Sequence, residues 1–167
     1  IYSADLNSAM MILGPPGTGK TVLAIHRGMR LLELAEESIG LFMYNNTLKN
    51  YTQHQTSEDR RLLNSVKTVQ KHIGDRFKLI NSYVRWGRNY PLKDFPYEAY
   101  AGRYNNFDDA AKKKFFPEYT ILDEGQDYPE TFYKLIAVHW ANSRSKDFKF
   151  YPTIMADENQ RLTVGKN

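Results

Sequence analysis

The sequence has 167 residues, the size of one ordinary domain, and its 41% hydrophobic and 14% aromatic content supplies a core and excludes a disordered chain. Its 23 Lys and Arg against 19 Asp and Glu leave a net charge of +4, which suits a polyanionic partner without requiring one. With no Cys, disulfides and thiolate metal sites are excluded, and His26, His54, His72 and His139 stand too far apart to suggest ligand pairs.

Along the chain, Ala9–Leu13 is a short apolar run closed by Gly and Pro, the pattern of a strand buried on both faces. A helix is predicted over Lys20–Ala35, with Val22, Leu23, Ile25, Met29, Leu32 and Leu34 as its apolar stripe. Further strands are expected at Ile39–Tyr44 and Phe77–Tyr83, and a helix at Asp108–Phe115. A strand follows at Tyr119–Leu122, then a helix from Pro129 to Trp140 and a last strand at Thr153–Ala156. Strand and helix alternate, so the expected fold is α/β, a parallel sheet covered by helices on both faces with binding groups at the carboxyl ends of its strands. The polar and aromatic stretch at about 87–117 reads as a small insertion on one domain spanning 1–167.

Between the first strand and the first helix lies Gly14-Pro15-Pro16-Gly17-Thr18-Gly19-Lys20-Thr21, which fits the phosphate-binding pattern Gly, any four, Gly, Lys, Ser or Thr. In that pattern the glycines turn backbone N–H groups toward phosphate oxygens, Lys20 reaches the terminal phosphates, and Thr21 ligates Mg²⁺. These residues point to ATP with Mg²⁺. Asp123 and Glu124 follow an apolar strand about a hundred residues later, where one carboxylate can join the Mg²⁺ shell and the other can act as general base on water. On that basis Lys20 and Glu124 are candidate catalytic residues, and Thr21 and Asp123 the candidate metal ligands.

The string Ile121-Leu122-Asp123-Glu124-Gly125-Gln126-Asp127 resembles motif II of superfamily 1 helicases of the UvrD/Rep branch, and Asp157-Glu158-Asn159-Gln160 resembles their motif III. The resemblance implies a RecA-like P-loop ATPase domain in which Gln160 senses the γ-phosphate. Gln126 and Asp127 would hold their motif in register with neighbouring loops. It also implies contacts to single-stranded nucleic acid, DNA ahead of RNA, from Asn45, Asn46 and the region of Ser82, Tyr83, Arg85 and Trp86. Trp86 is equally suited to core packing and to stacking on a base. The chain is expected to be the first of two RecA-like halves of a longer cytoplasmic protein, with the adenine reader, the arginine finger and the second half outside it. A nucleotide-dependent binding or regulatory switch is the alternative; a small-molecule kinase would need an Arg-rich lid that the sequence lacks.

Overall fold

A computed structural model of the protein describes residues 6–34, 38–79, 95–145 and 147–158. Among these residues five strands form one sheet: β1 (Met10–Gly14), β2 (Ile39–Met43), β3 (Val66–Thr68), β4 (Tyr119–Leu122) and β5 (Tyr151–Asp157), in the spatial order β1-β5-β4-β2-β3. Every pairing is parallel. Among the described residues, seven helices connect or flank them: α1 (Lys20–Leu34), α2 (Asn46–Gln55), α3 (Arg60–Ser65), α4 (Val69–Leu79), α5 (Tyr97–Tyr104), α6 (Asp109–Lys113) and α7 (Glu130–Ser145). The protein is therefore α/β, with helices on both faces of an all-parallel sheet, as the alternation of elements predicts.

Side-chain alternation along the strands divides the core in two. Phe42 and Leu122 point to a face covered by α4, α5 and α7, while Leu41, Met43 and Ile121 point to a face covered by α1 and α3. The first layer is dominated by aromatic rings: Phe77, Tyr97, Tyr100, Tyr104, Phe115 and Phe132 are all at most 1% exposed. On α5 the spacing of Tyr97, Tyr100 and Tyr104 places three rings on one helical stripe. Much of this layer comes from the described part of the stretch expected as an insertion, which contains two helices where one was predicted.

Capping residues mark several helix starts. Asn45 accepts from the Leu48 N–H at 2.9 Å, Asp59 from Arg61 N–H at 2.8 Å, and Asp108 from Ala111 N–H at 2.7 Å. Pro152 sits inside β5, a strand with neighbours on both sides. It is tolerated because Tyr151 N–H points to β4, donating to Glu118 O, so residue 152 faces β1, whose pairing begins only at Thr153.

Three sequence expectations are corrected. β1 is not buried on both faces: among the described strands it pairs with β5 alone, and Met11 and Leu13 are 58% and 56% exposed. The buried stripe of α1 is Ala24, Arg27, Gly28 and Leu31, whereas Val22, Met29 and Leu34 face outward, because the sheet and α3 approach the side with the small residues. Finally, Phe77–Leu79, expected to open a strand, end helix α4, whose Val69, Ile73 and Phe77 are buried at i, i+4 and i+8; the third strand is instead the three-residue β3. Residues 80–83 of that expected strand lie outside the described residues.

Candidate functional site

The carboxyl ends of β1, β5 and β4 lie side by side, with Gly14 in register with Asp157 across the first pair. Chain leaving β1 enters the glycine-rich loop. Gly17 and Gly19 hold φ of 75° and 83°, a region that side-chain-bearing residues rarely adopt, and this lets the loop fold back before α1. Thr18 Oγ1 donates to Pro15 O at 2.8 Å, bracing the turn. Pro15 and Pro16 are exposed on its outer side.

Lys20 and Thr21 are the first residues of α1. Lys20 Nζ folds across the loop and donates to the carbonyls of Gly14 (2.9 Å) and Pro15 (2.8 Å). Thr21 Oγ1 donates to Asp123 Oδ2 at 2.7 Å, joining the two sequence motifs across 102 positions. Asp123 extends the β4 ladder through its N–H to Phe42 O and is 1% exposed. Its second oxygen, Oδ1, is buried with no hydrogen-bond partner. Burial raises the Asp123 pKa from the ordinary carboxylate value, and the Thr21 hydrogen bond opposes that shift.

Glu124 follows with φ 53° and ψ 48°, the one non-glycine residue at positive φ among those described. Such a conformation costs roughly 1–3 kcal/mol and persists only where the surroundings impose it. Here they do. Gly125 begins a short 3₁₀ turn so tightly seated that a Cβ would lie 2.6 Å from Ile154 Cγ2 and 3.0 Å from Met155 O. Tyr133 of α7 donates its hydroxyl to Gly125 O. Gln126 bridges two elements: its Nε2 donates to Glu124 Oε2 at 2.6 Å, and its Oε1 accepts from Asp157 N–H at 2.9 Å. Asp127 is exposed at the end of the turn, its pKa raised by desolvation and then by the Glu124 charge.

The structure thus brings together Gly14 to Thr21, Asp123 and Glu124. Asn45 and Asn46 sit on the same edge of the sheet, just beyond β2, where the Asn45 side chain is committed to capping α2 and Asn46 is exposed at its first position. Gln160 and Trp86, with Ser82, Tyr83 and Arg85, lie outside the described residues. Two supporting residues escaped the sequence reading. Tyr133 holds the turn after β4, and Arg27, 5% exposed, donates from Nε to Thr153 Oγ1 at 3.0 Å, fastening α1 to β5. Arg27 was legible in principle as a charge on the stripe that contains Ala24, Gly28 and Leu31.

A hydroxyl and a carboxylate with a spare, desolvated oxygen are hard donors of the kind Mg²⁺ takes when phosphates and water complete its shell. Among the described residues no cluster of three or more His, Cys, Asp or Glu side chains could hold a metal by itself. No described helix is long and apolar enough to cross a membrane. No protein-family model matches the sequence, and no curated protein matches it.

Proposed function

We propose that the chain is an ATP-binding and ATP-hydrolysing RecA-like P-loop domain, the first motor half of a superfamily 1 helicase or translocase that works on single-stranded nucleic acid. The observation that carries this reading is the Thr21–Asp123 contact of 2.7 Å, with Asp123 Oδ1 buried and unpartnered beside it. A buried carboxylate oxygen left without a partner costs about 1–3 kcal/mol or more, a cost that a bound cation would remove.

On this reading Thr21 and Asp123 hold Mg²⁺, which supplies charge neutralisation for the phosphates. Lys20 exchanges the neutral carbonyls of Gly14 and Pro15 for phosphate oxygens, and the loop from Gly14 to Gly19 cradles them with its N–H groups. Glu124 receives the proton of the attacking water, its carboxylate aimed by the left-handed backbone and by Gln126. Gln160 reads the γ-phosphate, and Asn46 and Trp86 contact the nucleic acid, DNA ahead of RNA. A second RecA-like domain contributes the arginine finger, typically worth about 10³ to 10⁵ in rate, so turnover by this chain alone is slow.

Calorimetric titration of Mg-ATP into the native chain, Lys20→Ala and Glu124→Gln tests the assignment. Expected are binding by the native chain and by Glu124→Gln, loss of binding in Lys20→Ala, and loss of the slow turnover in Glu124→Gln. Equal ATP affinity in Lys20→Ala and the native chain would refute the phosphate-loop assignment; unchanged turnover in Glu124→Gln would leave a nucleotide-dependent switch as the better reading.

A further inference from the structure

At the opposite end of the sheet, beneath the amino ends of β2, β4 and β5, a cleft of about 360 Å³ opens between four separate segments. Arg76 reaches it from α4, Lys113 and Lys114 from the end of α6, Glu118 from the approach to β4, and Phe148 and Lys149 from the approach to β5. Four cations and one carboxylate give the cleft an excess of +3, in a chain whose whole net charge is +4. None of the four cations forms an ion pair with a described residue; the ion pairs among those residues involve other side chains.

Lysines in the last turn of a short helix complement its dipole, which accounts for Lys113. It does not account for Arg76 and Lys149, brought to the same cleft by elements distant in sequence. Like charges gathered on a concave surface repel one another and raise the local potential, and they attract a ligand that carries several negative charges. Lys113, Lys114 and Lys149 are exposed point charges on long, flexible side chains. That is poor equipment for enclosing a small anion. It suits a polyanion held by many loose phosphate contacts, each releasing a counterion.

We propose that this cleft binds the phosphate backbone of a nucleic-acid strand, as a contact surface separate from the nucleotide site at the other end of the strands. The inference rests on the nucleic-acid half of the function proposed above and not on its nucleotide half. Backbone contact of this kind carries no sequence preference, and its strength falls with salt.

The test measures affinity of the chain for a fluorescent thymidine oligonucleotide over a range of salt concentrations. The triple variant Lys113→Ala, Lys114→Ala, Lys149→Ala is compared with the matching Lys→Arg triple. For single strands each neutralised phosphate contributes about −0.7 to the slope of log affinity against log salt, so removing three lysines should make the slope shallower by about 2. At ~0.1 M salt the corresponding loss is on the order of 100-fold. The arginine triple should keep both slope and affinity, and Mg-ATP binding should be the same in all three proteins. Native affinity and slope in the alanine triple would overturn the cleft assignment while leaving nucleic-acid binding intact. No binding by the native chain even at low salt would overturn the nucleic-acid reading and this inference with it. Tripolyphosphate binding that is lost in the alanine triple, without oligonucleotide binding, would overturn the backbone assignment in favour of a small anion.

Discussion

Acid should destabilise this fold through two buried histidines. His72 and His139 lie in the aromatic layer, 4% and 0% exposed, and burial lowers their pKa values from 6.5 to about 4 and about 3. His72 Nε2 is bonded to Phe115 O at 2.7 Å, and His139 Nδ1 to the Tyr104 hydroxyl at 2.6 Å, while His139 Nε2 has no partner to receive a second proton. Because the folded pKa values are depressed, the unfolded chain binds protons that the folded chain refuses. Stability is therefore full above about pH 6.5 and falls as pH drops toward 4, by up to about 1.4 kcal/mol per pH unit for each ring. At pH 5 that is on the order of 2 kcal/mol each and 4 together, against a typical total stability of about 5–15 kcal/mol. Asp123 works the other way, since its raised pKa makes the folded state the better proton acceptor just above the ordinary carboxylate range. The histidine share is isolated by comparing variants. His139→Phe fits a site already walled by Phe115, Phe116, Phe148 and Phe150, although it strands the Tyr104 hydroxyl at a cost of about 1–3 kcal/mol. Urea unfolding at pH 7.5 and pH 5 should show His139→Phe losing about half as much stability between the two pH values as the native chain. An identical loss in both proteins would refute the claim that His139 stays neutral in the fold.

Two further substitutions probe the turn after β4. In Gly125→Ala the new methyl meets Ile154 Cγ2 at 2.6 Å and Met155 O at 3.0 Å, so thermal unfolding should report a loss of about 1–3 kcal/mol; a native melting temperature would mean that β5 yields freely at this point. Gln126→Glu keeps an acceptor for Asp157 N–H but places a carboxylate where an amide now donates to Glu124 at 2.6 Å. Two carboxylates at that distance cannot both stay ionised, so on the proposed mechanism ATP turnover at neutral pH should fall at least about tenfold with ATP affinity unchanged. Turnover equal to the native chain's would detach Gln126 from the reaction.

The elements that were legible in the sequence are those whose burial follows one simple period. β2 is an apolar run and β4 a short one interrupted by Thr120, and both are buried at every residue, which is why they could be read as strands. β3 has three residues, too few to carry a pattern, and its register is imposed by pairing with Leu41 to Met43. α4 was hidden because Phe77-Lys78-Leu79 alternates like a strand, while the longer series Val69, Ile73, Phe77 has the helical period that the fold obeys. In α1 the apolar positions outnumber those the sheet can cover, and close approach selected the stripe with Ala24 and Gly28 over the greasier one. Within the site, the loop and the acidic pair were visible because their spacing is local. The partners of Gln126 and Tyr133 were not, since they depend on how β5 and α7 dock against the turn.

That docking gives the strained backbone at Glu124 its physical explanation. Left alone, a glutamate at φ 53° relaxes to an ordinary conformation. Three restraints oppose relaxation, two anchored in β5 and one in α7. Gly125 is pressed against β5, Tyr133 pins its carbonyl from α7, and Gln126 couples the Glu124 carboxylate to the N–H of Asp157 at the last position of β5. Asp157 is in turn the residue in register with Gly14, where the glycine-rich loop begins. A displacement of that loop along the sheet edge therefore reaches the Glu124 carboxylate through one strand end and one glutamine side chain. On the proposed function, this gives phosphate held in the loop a second route to the group that activates water, beside the direct one from Thr21 through Asp123 to its neighbour Glu124.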